Sequence, residues 1–175
     1  MQFTVRHVFH TDLDTYWNEI FFSSEYNDRM YNEALGFKGF SVLDLTGEPG
    51  GKRTRTLRME PTAEAPTVVR KLIGDSLTYT ENGTYDPETR VWTYAITLSK
   101  LSDKVTINGR LWAEPVANGV ERFAEINIEV RVFGVGGAVE KFIEKTTRDS
   151  YVKASKFTND YIREKGLTKG STEAP

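Results

Sequence analysis

The stretch from Val120 to Gly166, VERFAEINIEVRVFGVGGAVEKFIEKTTRDSYVKASKFTNDYIREKG, carries two periodicities in succession. From Val120 to Val132 the pattern alternates. Ala124, Ile126, Ile128, Val130 and Val132 share one face, and Glu125, Asn127, Glu129 and Arg131 share the other, as in a strand with one side buried. At Gly134-Val135-Gly136-Gly137 the period changes. From about Ala138 to Lys165, Val139, Phe142, Ile143, Thr146, Ser150, Ala154, Phe157 and Tyr161 recur at spacings of three and four, which is one face of an amphipathic helix. Neither Pro nor Gly interrupts it, and Gly166 supplies the usual stop. At 1.5 Å per residue this helix is about 40 Å long. A helix of that length with one apolar side must lie across something broad. A sheet gripping it leaves room for a cavity, which directs the functional question to an apolar ligand.

Working upstream, the segments Leu77–Tyr85, Val91–Leu98 and Val105–Glu114 read as strands separated by short turns, the pattern of an antiparallel meander. Phe37–Leu45 and Lys52–Glu60 precede them, joined by Gly47-Glu48-Pro49-Gly50-Gly51. Between them and strand four, Pro61 to Ser76 breaks the strand pattern, with one or two helical turns at Val68, Val69, Leu72 and Ile73. At the start, Phe3, Val5, His7 and Phe9 alternate as strand one. Two short helices follow, one capped at Thr11 or Asp12 and one starting at Ser23 or Ser24. The predicted architecture is α+β, with about seven antiparallel strands, two short helices after strand one and a long C-terminal helix. Residues 1–166 form one expected domain and 167–175 an expected disordered tail.

Composition excludes several functions. The 23 Lys and Arg nearly balance the 25 Asp and Glu, so no basic excess points to nucleic acid. Cysteine is absent, which removes disulfides, thiolate metal sites and Cys nucleophiles. His7 and His10, on opposite faces of a strand, do not make a zinc site. Gly134-Val135-Gly136-Gly137 lacks the dinucleotide-binding spacing because Val139 occupies the last glycine position. Met1 leads straight into strand one, and no apolar run has the length of a membrane span. The expectation is a cytoplasmic protein with no cofactor, no metal and no obligate protein partner, one that tolerates transient membrane contact.

The order of elements resembles the helix-grip fold of the START-like (SRPBCC) superfamily, over nearly the whole chain. A closer resemblance is to an uncharacterised bacterial START-like family, a domain of unknown function. The residues that carry it are Val5-Arg6-His7-Val8-Phe9 with Tyr16-Trp17, Arg70-Lys71-Leu72-Ile73-Gly74, Ile107-Asn108-Gly109 with Glu114-Pro115, and Val135-Gly136-Gly137-Ala138-Val139-Glu140. The superfamily includes pollen allergens, polyketide cyclases and lipid-transfer domains, so the resemblance implies a cavity between sheet and helix. It assigns no activity, because fold alone does not.

Strand phase then nominates residues. Tyr79, Glu81, Trp92, Tyr94, Ile107, Ile128, Phe142 and Phe157 are the expected ligand-binding set, and Val68, Val69, Leu72 and Ile73 the expected gate. Glu81 shares phase with Leu77, Tyr79 and Tyr85. Either it points inward and pairs with Arg53 or Arg55 on the neighbouring strand, or a bulge near Asn82-Gly83 turns it outward. His7 is either a hydrogen-bonded core residue or an acid/base. The expected function is binding or transport of a hydrophobic small molecule, lipid, sterol-like or polyketide-like. A cyclase or aromatase acting in the same cavity is the alternative, and no catalytic residue is assigned.

Overall fold

The computed structural model describes residues 1–62, 64–74 and 76–169. Among these, seven strands are formed: β1 (Gln2–Phe9), β2 (Gly39–Thr46), β3 (Arg53–Glu60), β4 (Tyr79–Asp86), β5 (Val91–Leu98), β6 (Val105–Val116) and β7 (Gly119–Val130). They make up one antiparallel sheet in the order β1-β7-β6-β5-β4-β3-β2. Thus β2 to β7 run as a meander, and β1 closes the far edge against β7 with Phe3 opposite Ile126 and Phe9 opposite Val120. A register shift lies between Val42 and Asp44 on the edge strand β2. Through β4 the register is unbroken, with Glu81 opposite Leu57 on one side and Ile96 on the other.

Between β1 and β2 the chain makes two helical segments. The Asp12 carboxylate accepts the Thr15 N–H at 2.9 Å and starts α1 (Leu13–Thr15). The Ser23 hydroxyl accepts the Tyr26 N–H at 3.2 Å and starts α2 (Ser24–Arg29). Helical spacing predicts that both continue as ordinary helix. Instead each widens into a π-helical turn, over Tyr16–Phe21 and over Met30–Ala34, where the Leu35 N–H reaches the Met30 carbonyl at 2.9 Å. Tyr16, Trp17 and Ile20 are all buried in the first of these turns. A third short helix, α3 (Thr67–Ile73), follows β3.

The long helix α4 (Gly136–Glu164) crosses the sheet. The Val130 N–H is taken by the Glu140 carboxylate at 3.0 Å, which ties the end of β7 to the start of α4. At the other end Tyr161 and Ile162 are buried in the main core with Phe9, Val120 and Ala124. There the Tyr26 and Thr158 hydroxyls bond at 2.6 Å, joining α2 to α4. A smaller core joins α3 to the first turns of α4 through Val69, Ile73 and Val139. The chain stays attached past the helix. The Thr11 hydroxyl donates to the Leu167 carbonyl at 2.6 Å and the Lys169 N–H to the His10 carbonyl at 3.1 Å. The expected disordered tail is therefore held as far as Lys169, and the remainder of it, 170–175, lies outside the described residues. Among the described residues no helix is long and apolar enough to cross a membrane.

Two residues on α4 measure this packing. Ile162 is 0% exposed and Val152 60%. Ile162→Ala is expected to lower unfolding free energy by about 2–5 kcal/mol, and Val152→Ala to change it by no more than about 0.5 kcal/mol, in urea titrations. Equal effects would mean that this end of the helix is not clamped.

Candidate functional site

Between the sheet and α4 lies a cavity of about 600 Å³. Its existence follows from side-chain size. Along the middle of α4 the residues facing it include Thr146, Ser150 and Ala154, all small. The Thr146 hydroxyl donates back to the Phe142 carbonyl at 2.9 Å, so it makes no polar demand on the space. On the sheet, Gly83 and Gly109 lie beneath aromatic rings. A Cβ on Gly83 would run into the Trp92 indole, and one on Gly109 would come within 2.7 Å of the Tyr94 hydroxyl. Absent side chains here let Trp92 and Tyr94 lean across the sheet. Apolar walls come from Ile96, Leu98, Ile107, Leu111 and Ile126. The first helical segment adds Tyr16, Ile20 and Phe21, and the second adds Tyr26, Met30 and Tyr31. Thr62 and Glu64 of the β3–α3 loop, with Lys145, Asp149 and Lys153 of α4, are exposed residues on its rim.

Three charged side chains reach this space. Glu81 points inward, so the outward-bulge alternative does not apply. Its carboxylate lies 3.7 Å from the Arg55 guanidinium, an ion pair without a close hydrogen bond. Arg55 is only 4% exposed. It donates to the Phe21 carbonyl at 2.7 Å and stands over the rings of Phe21 and Trp92. Arg53 instead stacks over Phe22. Burial pushes the Glu81 carboxyl above its ordinary range, with the Arg55 charge as the main opposing influence. The third is Arg122, on the inward phase of β7 and 7% exposed. It donates to His7 Nδ1 at 3.2 Å and sits over the rings of Phe9 and Tyr151. Burial, then the Arg122 charge, lowers the His7 pKa, which keeps its ring neutral.

Of the residues nominated from sequence, Tyr79, Glu81, Trp92, Tyr94, Ile107 and Phe142 line the cavity together. Two do not. Ile128 is buried in the filled part of the core. Phe157 packs against Tyr26 and Tyr161 with Arg29 over its ring, because Ala154, Thr158 and Tyr161 take the inward line of α4 and leave 157 on its flank. The nominated gate residues also fall elsewhere. Val69 and Ile73 are buried against Val139, Phe142 and Ile143, Leu72 packs beside them, and Val68 is exposed, so α3 docks on α4 and the loop before it borders the cavity. Arg122 lies outside the set nominated from sequence, as do Tyr16, Phe21, Tyr26, Tyr31 and Tyr151. The phase of Arg122 matches Ala124 and Ile126, a signal present in the alternation of β7.

A family model described as a protein of unknown function (DUF2505) matches residues 4–162, and the chain belongs to that family. No curated protein matches it. Among solved structures, the protein TTHA0849 from Thermus thermophilus is similar over 94% of this chain and 99% of its own, with TM-score 0.66 and 11% identity. The Zhui aromatase/cyclase from Streptomyces sp. R1128 is similar over 97% and 99%, with TM-score 0.64 and 13% identity. A START superfamily protein from Mycobacterium smegmatis is similar over 93% and 97%, with TM-score 0.58 and 13% identity. At these identities the likeness is one of fold, the helix-grip architecture.

The raised Glu81 pKa has a measurable sign. As pH rises above the ordinary carboxyl range, the unfolded chain releases this proton before the folded one does. Stability from this group therefore falls until the folded value is passed. Relative to Glu81→Gln, the wild type should lose unfolding free energy as the pH of urea titrations is raised from about 4 to about 8. A difference independent of pH would mean that the carboxyl is not desolvated.

Proposed function

We propose that this protein binds a hydrophobic small molecule, of lipid, sterol-like or polyketide-like size, in the cavity between sheet and α4, and that it acts as a carrier or sensor rather than as a catalyst. The observation that carries this reading is the cavity itself. About 600 Å³ of space lies inside the main core, walled by aliphatic and aromatic side chains with a few charged groups among them. Small-molecule sites have this size and this mixture of walls and anchors. Burying apolar ligand surface at about 25 cal/mol per Å² would supply the affinity, and Glu81, Arg55 and the tyrosine hydroxyls would orient the polar end. Ligand would enter beside Pro61, Thr62 and Glu64, which border the cavity opposite α4. The neighbours in fold, a START superfamily protein and an aromatase/cyclase, support the general reading without naming a ligand.

The cyclase or aromatase alternative needs an acid and a base within one enclosed space. Glu81 meets half of that requirement. His7 is absent from the cavity lining and gives its Nδ1 to Arg122, so it contributes no base there. Binding without chemistry is the reading these positions favour.

Native mass spectrometry of freshly purified protein, with extraction of any bound compound, tests the proposal together with titration of the neutral dye Nile red. One dye per chain is expected. Ile96→Trp, which fills the cavity from β5, should weaken dye binding by roughly tenfold or more while cooperative unfolding is kept. Undiminished binding in this variant, or no binding in the wild type, would overturn the proposal.

A further inference from the structure

Among the described residues Arg122 is a buried cation with no acidic partner. Among the described residues no carboxylate forms an ion pair with it, although a buried charge is costly unless compensated. What surrounds it is neutral. His7 faces it from β1, Phe9 from the end of β1, Tyr16 from the first helical segment and Tyr151 from α4. Tyr26 lies within its electrostatic reach and already holds Thr158. The Nε of Arg122 is buried without a hydrogen-bond partner. The inward carboxylate of the cavity, Glu81, is held by Arg55. Among the described residues the enclosed space therefore contains two guanidinium groups and a single carboxyl, and the unmatched guanidinium stands on its wall.

We infer that the occupant of the cavity carries a carboxylate that seats on Arg122, so that the ligand class is an apolar monocarboxylic acid. This rests on the cavity being a binding site. A guanidinium offers paired N–H donors to a carboxylate, and such charge-assisted bonds are strong where water is excluded. The Nε–H has no partner within the folded chain. Neutral His7 accepts from Nη2 and so fixes the orientation of the guanidinium. Tyr16 and Tyr151 are the neutral side chains beside it. The aliphatic wall of Ile107, Leu111 and Ile126 receives the body of the acid.

Dodecanoate and dodecanol, matched in chain length and differing in charge, test this by displacement of Nile red. In the wild type, dodecanoate should displace the dye at a concentration roughly tenfold or more below that of dodecanol. In Arg122→Met the two should fall within about twofold of one another, each measured against that variant's own affinity for the dye, and Arg122→Lys should keep part of the preference. Equal displacement in the wild type would overturn the carboxylate assignment while leaving the cavity reading intact. A preference that survives in Arg122→Met would also overturn it, because the anion would then be read elsewhere. Failure of the wild type to bind Nile red would remove the cavity reading itself. A second measurement is the carbon NMR titration of carboxyl-labelled dodecanoate bound to the wild type and to Arg122→Met. Paired with Arg122, the acid should stay ionised to lower pH than when bound to the variant. The same titration in both would overturn the inference.

Discussion

The structure depends on a long helix that is packed down at its two ends and held off in the middle. At the C-terminal end, Tyr161 and Ile162 enter the main core and Thr158 bonds Tyr26. At the N-terminal end, Val139 is enclosed by Val69 and Ile73 of α3, and Glu140 grips the end of β7. Between these clamps Thr146, Ser150 and Ala154 are too small to reach the sheet, and Tyr151 alone spans to Arg122 of β7 from this stretch. A sharp bend into the gap would break helical hydrogen bonds, and this stretch has no Pro or Gly to allow one, so the gap remains. The hollow lies where the small residues of α4 face the aliphatic and aromatic wall of the sheet.

The charges inside that hollow are organised by burial more than by attraction. Arg55 and Glu81 lie across a regular strand pair, and their separation of 3.7 Å gives an ion pair that only partly offsets the desolvation of the acid. Aromatic rings complete the environment. Arg55 sits over Phe21 and Trp92, and Arg122 sits over Phe9 and Tyr151. Ring faces attract a cation without accepting its protons, so they make burial tolerable while leaving guanidinium N–H groups free to donate. The π-helical turns deliver part of this. By widening the chain at Tyr16–Phe21 and Met30–Ala34 they present neighbouring aromatic residues to the same space.

Membership of the DUF2505 family and likeness to an aromatase/cyclase and a START superfamily protein describe a scaffold. With 11–13% identity to the neighbours described above, the residues lining the cavity are free to differ, and they determine what is bound. In this chain the distinctive features are a desolvated carboxyl, two buried guanidinium groups and a ring of tyrosines.

The sequence alone determined the architecture, because strand and helix periods are local properties. The alternation of Val120 to Val130 and the three-and-four spacing after Ala138 fix which faces are apolar, and a seven-stranded sheet under a long helix follows from burying them. The sheet's share of the cavity lining was legible for the same reason, since phase tells which way a strand residue points, whereas Tyr16, Phe21, Tyr26 and Tyr31 of the helical segments were not. Whether Glu81 kept that phase was not legible, because a bulge near Gly83 was equally compatible with the residues, and only the register of β4 between β3 and β5 decided it. Phe157 and Ile128 obeyed the pattern and still fell outside the hollow, since period says inward without saying whether a partner fills the space. Val69 and Ile73 read as a gate until α3 met Val139. Arg122 shares the phase of its apolar neighbours, but a charged side chain in that phase gives no apolar signal. Its place among Phe9, His7 and Tyr151 joins residues far apart in the chain, a juxtaposition only the tertiary packing of β1, β7 and α4 creates.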